Sequence, residues 1–365
     1  MQSRIRWGIL GAGAVARDFV QGLRCLPDAE LLAVASRTHT SAQEFSRLFD
    51  VPRVHKSYED LVSDRDIDIV YIATPNHRHK DHSLLCLEAG KPVLCEKPFT
   101  VRAAEAREVI ALARRKHLFC MEAMWMRFLP LMARLRGLLD ANAIGEVRMM
   151  TADLGFPAPF DKNNRFFNRE LGGGAMLDLG IYPLSLTFHL FGKPSQVLSQ
   201  ASLGPTGVDE QSTAILTYPQ GELVILSASL RAHLPCEALI IGTGGQIRIH
   251  SPLYRPHKLS LAELPGPMPS TAPKASWRTW AKNSPLSRAL FFRFEDILGP
   301  LLNRYQKTIV QAFAGNGYNY EAAEVMRCLR AGEIESKIMP LDETLSIMET
   351  MDTIRRKWDY GSTHA

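Results

Sequence analysis

Three side chains far apart in the chain could together move a proton: Lys97, Asp178 and Tyr182. A phenol with an ordinary pKa of about 10 is a poor base at neutral pH. A nearby ammonium stabilises its phenolate, and a carboxylate can orient the pair. Asp178 and Tyr182 follow the run Gly172-Gly173-Gly174 and stand four residues apart, so a helix opened by those glycines would carry them on one face. Spacing alone reads equally well as a helix-surface hydrogen bond between the two. Lys97 lies in Cys95-Glu96-Lys97-Pro98, where the proline fixes the neighbouring backbone.

A second chemistry sits near the start. A short apolar run at 5–10 leads straight into Gly11-Ala12-Gly13-Ala14-Val15-Ala16, and helical spacing of Val15, Phe19, Val20 and Leu23 follows. In that strand-turn-helix context Gly11 permits the tight turn, and Gly13 lets backbone approach a pyrophosphate. Ala16 keeps the helix close to the sheet, and the N–H groups at Ala14 and Val15 attract phosphate. This predicts a dinucleotide site. An NAD enzyme usually presents Asp or Glu at the end of the second strand, but this chain has Ser36-Arg37-Thr38 there. Arg37 would attract a 2′-phosphate that a carboxylate would repel, and Ser36 and Thr38 can donate to it, so NADP is expected over NAD. Gly180 would let the later helix pass close to a nicotinamide.

The elements that must position these groups alternate. Strands are expected at 5–10, 31–36, 69–73, 92–95 and 118–121, with helices at 41–49, 79–89 and 103–116 between them. That pattern is α/β, a doubly wound parallel sheet of the Rossmann type. After a helix at 130–140, strands at 147–154, 196–203, 211–218, 222–230, 237–242 and 246–250 are joined by short turns, which argues for a largely antiparallel open sheet of an α+β second domain. Helices return at 320–331 and 341–358, where Leu341, Leu345, Ile347, Met348 and Met351 form an apolar stripe read as core. The expected division is a dinucleotide-binding domain at 1–124 and a substrate-binding and oligomerisation domain at 125–365.

Length and composition bound the function. A chain of 365 residues with 46% hydrophobic content can bury two domain cores. Six scattered cysteines without a CxxC pair suit a reducing compartment, and no leader or bilayer-length apolar run is read, so a cytoplasmic protein is expected. The net charge of +5 is a poor argument for nucleic-acid binding, because residues 274–307 hold seven basic residues against Glu295 and Asp296. Trp277, Trp280, Phe291, Phe292 and Phe294 interleave with those cations. The stretch 265–314 therefore reads either as an extra helix packed on its own domain, or as a segment (270–310) for peripheral membrane or protein contact, or as a cover for the substrate pocket. His77, His79 and His82 lack an acidic or cysteine partner at matching spacing, so no metal is expected.

The segments GILGAGAVA, ATPNHRHKDHSLLCLEAGKPVLCEKP, MEAMWMRF and GGGAMLDLGIY, in that order, resemble the glucose-fructose oxidoreductase/inositol dehydrogenase (Gfo/Idh/MocA) family. MEAMWMRF and the tyrosine of DLGIY are most similar to its dimeric dihydrodiol dehydrogenases, also described as NADP-dependent D-xylose 1-dehydrogenases. The resemblance spans nearly the whole chain outside 265–314. It implies that Lys97 stands beside the nicotinamide and ribose, and that Asp178 and Tyr182 are the catalytic pair, with Tyr182 the general acid/base. It further implies that Thr74, Pro75, Asn76 and His77 line the nicotinamide end with Glu96 close by, and that Trp125, Arg127 and Phe128 stand at the mouth of the substrate pocket. The aromatic and apolar content near Trp125, Phe128 and Phe156, read as pocket residues, leaves room for a larger apolar substrate as well. Many family members carry His at the position of Tyr182, so this chain departs from the inositol dehydrogenase type. A homo-oligomer, dimer or higher, is implied through the broad face of the second sheet.

The function expected is therefore NADP(H)-dependent hydride transfer to or from a small polyol or carbonyl substrate, such as a sugar or cyclic diol. In oxidation a Tyr182 phenolate, favoured by Lys97, would take the hydroxyl proton. Two alternatives stand beside it: a non-catalytic NADP-binding sensor, and a reductase of a larger conjugated substrate such as a tetrapyrrole.

Overall fold

The computed structural model describes residues 4–263, 284–285 and 306–358. Its first half is a six-stranded parallel sheet built from β1 (Ile5–Leu10), β2 (Ala29–Ala35), β3 (Arg53–Val54), β4 (Ile69–Ile72), β5 (Val93–Glu96) and β6 (Cys120–Ala123). The spatial order is β3-β2-β1-β4-β5-β6. Helices α1 (Ala14–Leu23), α2 (His39–Phe49), α3 (Tyr58–Ser63), α4 (His79–Glu88) and α5 (Ala103–Arg115) connect the strands. Every residue of β4, β5 and β6 is buried, which is why these strands read as continuous apolar runs instead of alternating ones. Strand order reverses between β1 and β4, and ligands of such sheets bind outside the carboxyl ends at that point. Gly11, Thr74 and Lys97 all follow such ends.

The second sheet has eight strands in the order β14-β13-β12-β11-β7-β10-β9-β8. They are β7 (Val147–Gly155), β8 (Gln196–Leu203), β9 (Asp209–Thr217), β10 (Leu223–Ser229), β11 (Ala238–Gly242), β12 (Gly245–Ile249), β13 (Lys258–Glu263) and β14 (Gln306–Val310). All neighbours pair antiparallel except β7 and β10, which run parallel. Burial alternates along β9 to β12, with inward residues such as Ala214, Val224, Ile240 and Ile247 fully buried. Helix α6 (Pro130–Asp140) leads into this sheet, and α7 (Ile181–Phe191) packs on β7 and β10. Two C-terminal helices return to the first half: α8 (Tyr318–Ala331) lies on α1, and α9 (Leu341–Arg356) lies on α5 and β8.

Four expectations need correction. The element pair β3 and α3 was not anticipated, being too short to carry a periodic signal. Nor was the hairpin of β13 and β14, whose register pairs Ala262 with Gln306 across residues 264–305. The stretch 265–314 is thus not wholly a departure, since β14 within it completes the sheet. Its Trp- and Phe-rich basic portion, with the contact reading for 270–310, lies outside the described residues apart from 284–285 and 306–310. Finally, Val15 is 37% exposed and does not share the buried face of α1, where Ala16 stands instead beside Phe19, Val20 and Leu23. Among the described residues no helix is long and apolar enough to cross a membrane.

Candidate active site

The turn after β1 is built for close approach. Gly11 has φ +106°, and a Cβ there would stand 2.5 Å from the carbonyl oxygen of Ala73. Around Gly13, by contrast, a Cβ would meet nothing within 4 Å. Gly13 caps α1 without a side-chain bond, and the first turn holds no acid. Ala14 and Val15 are exposed. The N–H groups that open α1 therefore face an uncluttered space suited to an anion such as a pyrophosphate. At the end of β2, Ser36 is half-buried and Arg37 exposed, with no carboxylate among Ser36-Arg37-Thr38. The hydroxyl of Thr38 caps α2, accepting from the Ser41 N–H at 3.3 Å. These residues fit a dinucleotide carrying a 2′-phosphate.

The segments after β4 and β5 are clasped by His79. Its ring nitrogens lie 2.8 Å from the carbonyl oxygen of Pro98 and 2.8 Å from that of Thr74. Burial pushes this imidazole down to about 4, against the two carbonyls, which favour a proton on each nitrogen; the ring's partners make it structural. His82 bonds the Thr74 hydroxyl at 2.9 Å, and its ring meets Tyr58 edge-on. Pro75 is exposed, Asn76 and His77 half-buried, and the Nδ1 of His77 is a buried atom without a partner. No group of three metal-ligating side chains occurs among the described residues.

Lys97 meets the distant Asp178 and Tyr182. Its Nζ donates to the Asp178 carbonyl at 3.0 Å, lies 3.8 Å from Asp178 Oδ1, and sits 4.7 Å from the centre of the Tyr182 ring. Burial opposes the ammonium, yet Asp178, then Tyr182 and Glu96, outweigh it and hold Lys97 above its ordinary value. Asp178 is buried too, but Lys97 and then Arg165 keep it ionised below the usual carboxylate range. Asn76 adds a side-chain bond to Asp178. Beneath them the Tyr71 hydroxyl donates to Glu96 Oε1, and the Lys97 N–H donates to Glu96 Oε2 at 3.2 Å. Burial raises Glu96 to about 7.

The backbone that carries Asp178 is not a regular α-helix. Met176–Gly180 forms a turn of π-helix before α7 begins, and Asp209 accepts the Met176 N–H at 2.7 Å. Gly174 permits this contact, with φ +124° and the Asp209 carboxylate 2.3 Å from where its Cβ would stand. A Cβ at Gly180 would strike Met176 and approach Ala228 of β10, so this glycine serves packing on the second sheet. The hydroxyl of Tyr182 accepts the indole N–H of Trp125 at 3.2 Å. Trp125 in turn stacks on Tyr318 with centroids 4.6 Å apart, and Tyr254 stands 6.0 Å from the Tyr182 ring.

Burial raises the Tyr182 phenol above its ordinary value, and the lowering by Lys97 does not overcome it. The resting side chain is a protonated phenol.

Of the residues expected at the pocket mouth, Trp125 reaches Tyr182, whereas Arg127 and Phe128 do not. Arg127 is wholly buried: it donates to the Ser185 hydroxyl at 2.8 Å and the Ser185 carbonyl at 2.6 Å, and it pairs with Glu343. Consecutive residues of the 3₁₀ turn Trp125–Phe128 must diverge, which sends Phe128 to a depression beside Tyr320 and Arg327. Phe156 is 37% exposed and meets Phe166 edge-on at 5.8 Å. Phe166 lies under Arg165, whose Nη1 donates to Asp178 Oδ1 at 2.5 Å.

Arg165 is the residue that sequence reasoning passed over. It stands on an irregular segment without periodic signal, and only the fold brings it to Asp178. Glu321 was also missed: it is fully buried on α8, and neither carboxyl oxygen has a hydrogen-bond partner. Burial, then Glu96, raises it well above the carboxylate range.

Comparison with known proteins agrees with this architecture. Residues 5–124 match the oxidoreductase family with an NAD-binding Rossmann fold, GFO/IDH/MocA, and residues 132–248 match the GFO/IDH/MocA C-terminal domain. A trans-1,2-dihydrobenzene-1,2-diol dehydrogenase of Xenopus tropicalis is 34% identical over 95% of this chain and 96% of its own. A D-xylose 1-dehydrogenase (NADP(+)) of Hypocrea jecorina is 34% identical over 97% and 92%. In fold, the chain is similar to a 3-ketoreductase from Actinomadura kijaniata solved with NADP and TDP-benzene, with TM-score 0.79, 22% identity and coverage of 97% and 98%. With both halves matched and a third of the residues shared along nearly the full length of such relatives, the chain belongs to the GFO/IDH/MocA oxidoreductase family.

Proposed function

We propose that the protein is an NADP(H)-dependent dehydrogenase or reductase acting on a CH–OH or C=O group of a sugar, cyclic diol or related small substrate. The convergence of Lys97, Asp178 and Tyr182 from two distant segments carries this reading. The full-length likeness to diol and NADP-dependent xylose dehydrogenases supports the substrate class and the cofactor. Gly11, Gly13, Ala14 and Val15 would hold the pyrophosphate, Ser36, Arg37 and Thr38 the 2′-phosphate, and Thr74, Pro75, Asn76, His77 and Glu96 the nicotinamide end. The nicotinamide supplies the two-electron chemistry and, when oxidised, a positive charge.

Within that reading the chain manages the proton. The Tyr182 oxygen already accepts from Trp125, so its own O–H is directed elsewhere, toward a substrate oxygen. In reduction this phenol donates the proton as a carbonyl becomes an alcohol. In oxidation it must first lose that proton, which Lys97 and the Trp125 N–H assist. Lys97 has donors beyond its bond to Asp178 and would share the substrate oxygen. Asp178, held by Lys97, Arg165 and Asn76, would keep the ammonium aimed at that oxygen or orient a second hydroxyl. Trp125 and Phe156 would flank the substrate.

The same reading divides the chain at 124/125 and assigns oligomerisation to the outer face of the second sheet in a cytoplasmic homo-oligomer. The test is NADPH consumption and NADP reduction across sugars, cyclic diols, dicarbonyls and tetrapyrroles. Turnover of a sugar or diol that disappears in Tyr182→Phe supports the assignment. Turnover of tetrapyrroles alone, or none with any substrate, refutes it.

A further inference from the structure

A cavity of about 1120 Å³ opens between the first turn of α5, the last turns of α9 and the edge strand β8. It is large enough for a small-molecule ligand. Seven basic and three acidic side chains line it. The acids are already committed. Glu349 answers two cations, Arg107 at 2.8 Å and Lys193 at 3.2 Å. Asp352 accepts the Ala103 N–H at 2.9 Å, and Asp209 accepts the Met176 N–H and the Ser212 hydroxyl, both at 2.7 Å.

Three guanidiniums, on Arg102, Arg169 and Arg355, meet in the same cavity. None has a carboxylate in ion-pair contact among the described residues; Arg355 donates instead to the Val101 carbonyl at 2.8 Å. Burial, and further the charges of Arg102 and Arg169, hold the Arg355 guanidinium below its ordinary value despite Asp209 and Asp352. A folded chain gains nothing by gathering like charges there for its own stability. The opening N–H groups of α5 are also spoken for, by Asp352 and Glu105, so the arrangement rests on the guanidiniums and not on the helix end.

We propose that this cavity is a binding site for a small polyanion with two phosphate-type groups, held by Arg102, Arg169 and Arg355. Guanidinium forks match phosphate oxygens two at a time, which an ammonium cannot do. The site lies on other elements than the turn Gly11–Gly13 and touches neither Lys97 nor Tyr182, although it shares Asp209 with the turn that carries Asp178, so the proposal does not rest on the hydride-transfer reading.

Calorimetric titration of the full chain with inorganic pyrophosphate, at ~0.1 M salt and with the dinucleotide site saturated by NADP, tests the proposal. The expected result is saturable one-to-one binding that the double variant Arg102→Gln, Arg169→Gln weakens at least ~10-fold. That variant should leave NADP-dependent turnover and the thermal midpoint unchanged. If it folds poorly, the pair Arg102→Lys, Arg169→Lys decides: a folded protein whose binding is weakened or lost supports the site, and one that binds as tightly as the unsubstituted chain overturns it. Absence of binding to the unsubstituted chain, binding indifferent to the Gln pair, or binding only of long polyanions such as single-stranded DNA also overturns it.

Discussion

Lys97 and Arg127 are both buried cations in motif-rich segments, and the structure uses them in opposite ways. Arg127 spends its guanidinium on Ser185, the Ile338 carbonyl and Glu343, and its side chain has no exposed surface. Lys97 makes one hydrogen bond through Nζ, to the Asp178 carbonyl, faces an aromatic ring, and keeps 13% of its side chain exposed. A buried cation with four of its five donors consumed holds the fold together. One with donors to spare is positioned for something that arrives later. Residue type alone does not separate the two cases; hydrogen-bond saturation does.

The sharpest test exchanges both cations for methionine. Lys97→Met is expected to lower kcat/KM at least ~10³-fold, about 4 kcal/mol, and to lower the urea midpoint less than the Arg127 variant does, because Asp178 keeps Arg165 as a partner. Arg127→Met is expected to cost ~3–5 kcal/mol of stability, because it strands Glu343, while the folded fraction turns over nearly normally. Reversed outcomes would break the comparison. Next in size, Tyr182→Phe should reduce kcat by ~10²-fold or more, about 3 kcal/mol, with little change in NADP affinity.

The acids beside the two cations provide a pH test. Glu122, which faces Arg127, is raised by burial to about 7 from an ordinary 4.5. The native state thus keeps a proton that the unfolded chain releases between those values, so stability falls as pH rises through this window and levels off above it. The contribution of Glu122 is up to about 3 kcal/mol, and Glu96, also near 7, acts in the same direction. His79 acts oppositely, costing stability as pH falls from 6.5 toward 4. Urea midpoints between pH 5 and 8 should therefore decline more gently in Glu122→Gln. Smallest, Arg37→Gln should cut the preference for NADP over NAD ~10-fold, about 1.4 kcal/mol. An unchanged ratio of kcat/KM values would remove Arg37 from the 2′-phosphate site.

Legibility followed the range of the interactions. The glycine turn, the alternating strands and helices of the first half and most strands of the second were readable because each is written in consecutive residues. The meeting of Lys97, Asp178 and Tyr182 could be anticipated only through resemblance, since spacing left the last two ambiguous. Arg165 and Glu321 carried no local signal, and their importance arises only once the chain has folded onto itself. Arg127 was misplaced because its sequence neighbour Trp125 does reach Tyr182. The burial that raises the Tyr182 phenol is a property of the whole fold and has no signature in consecutive residues.

The pairing of β13 with β14 tolerates a long connection. Its strands pair at the sheet edge across residues 264–305, so the ladder registers only the two ends of whatever joins them. Closing a longer connection costs only ~0.6 kcal/mol per doubling, so growth from about five residues to about forty adds roughly 2 kcal/mol. The edge is therefore held by its own five facing pairs, Lys258 with Val310 through Ala262 with Gln306, and the sheet is completed by β14 whatever the length of chain between the two strands.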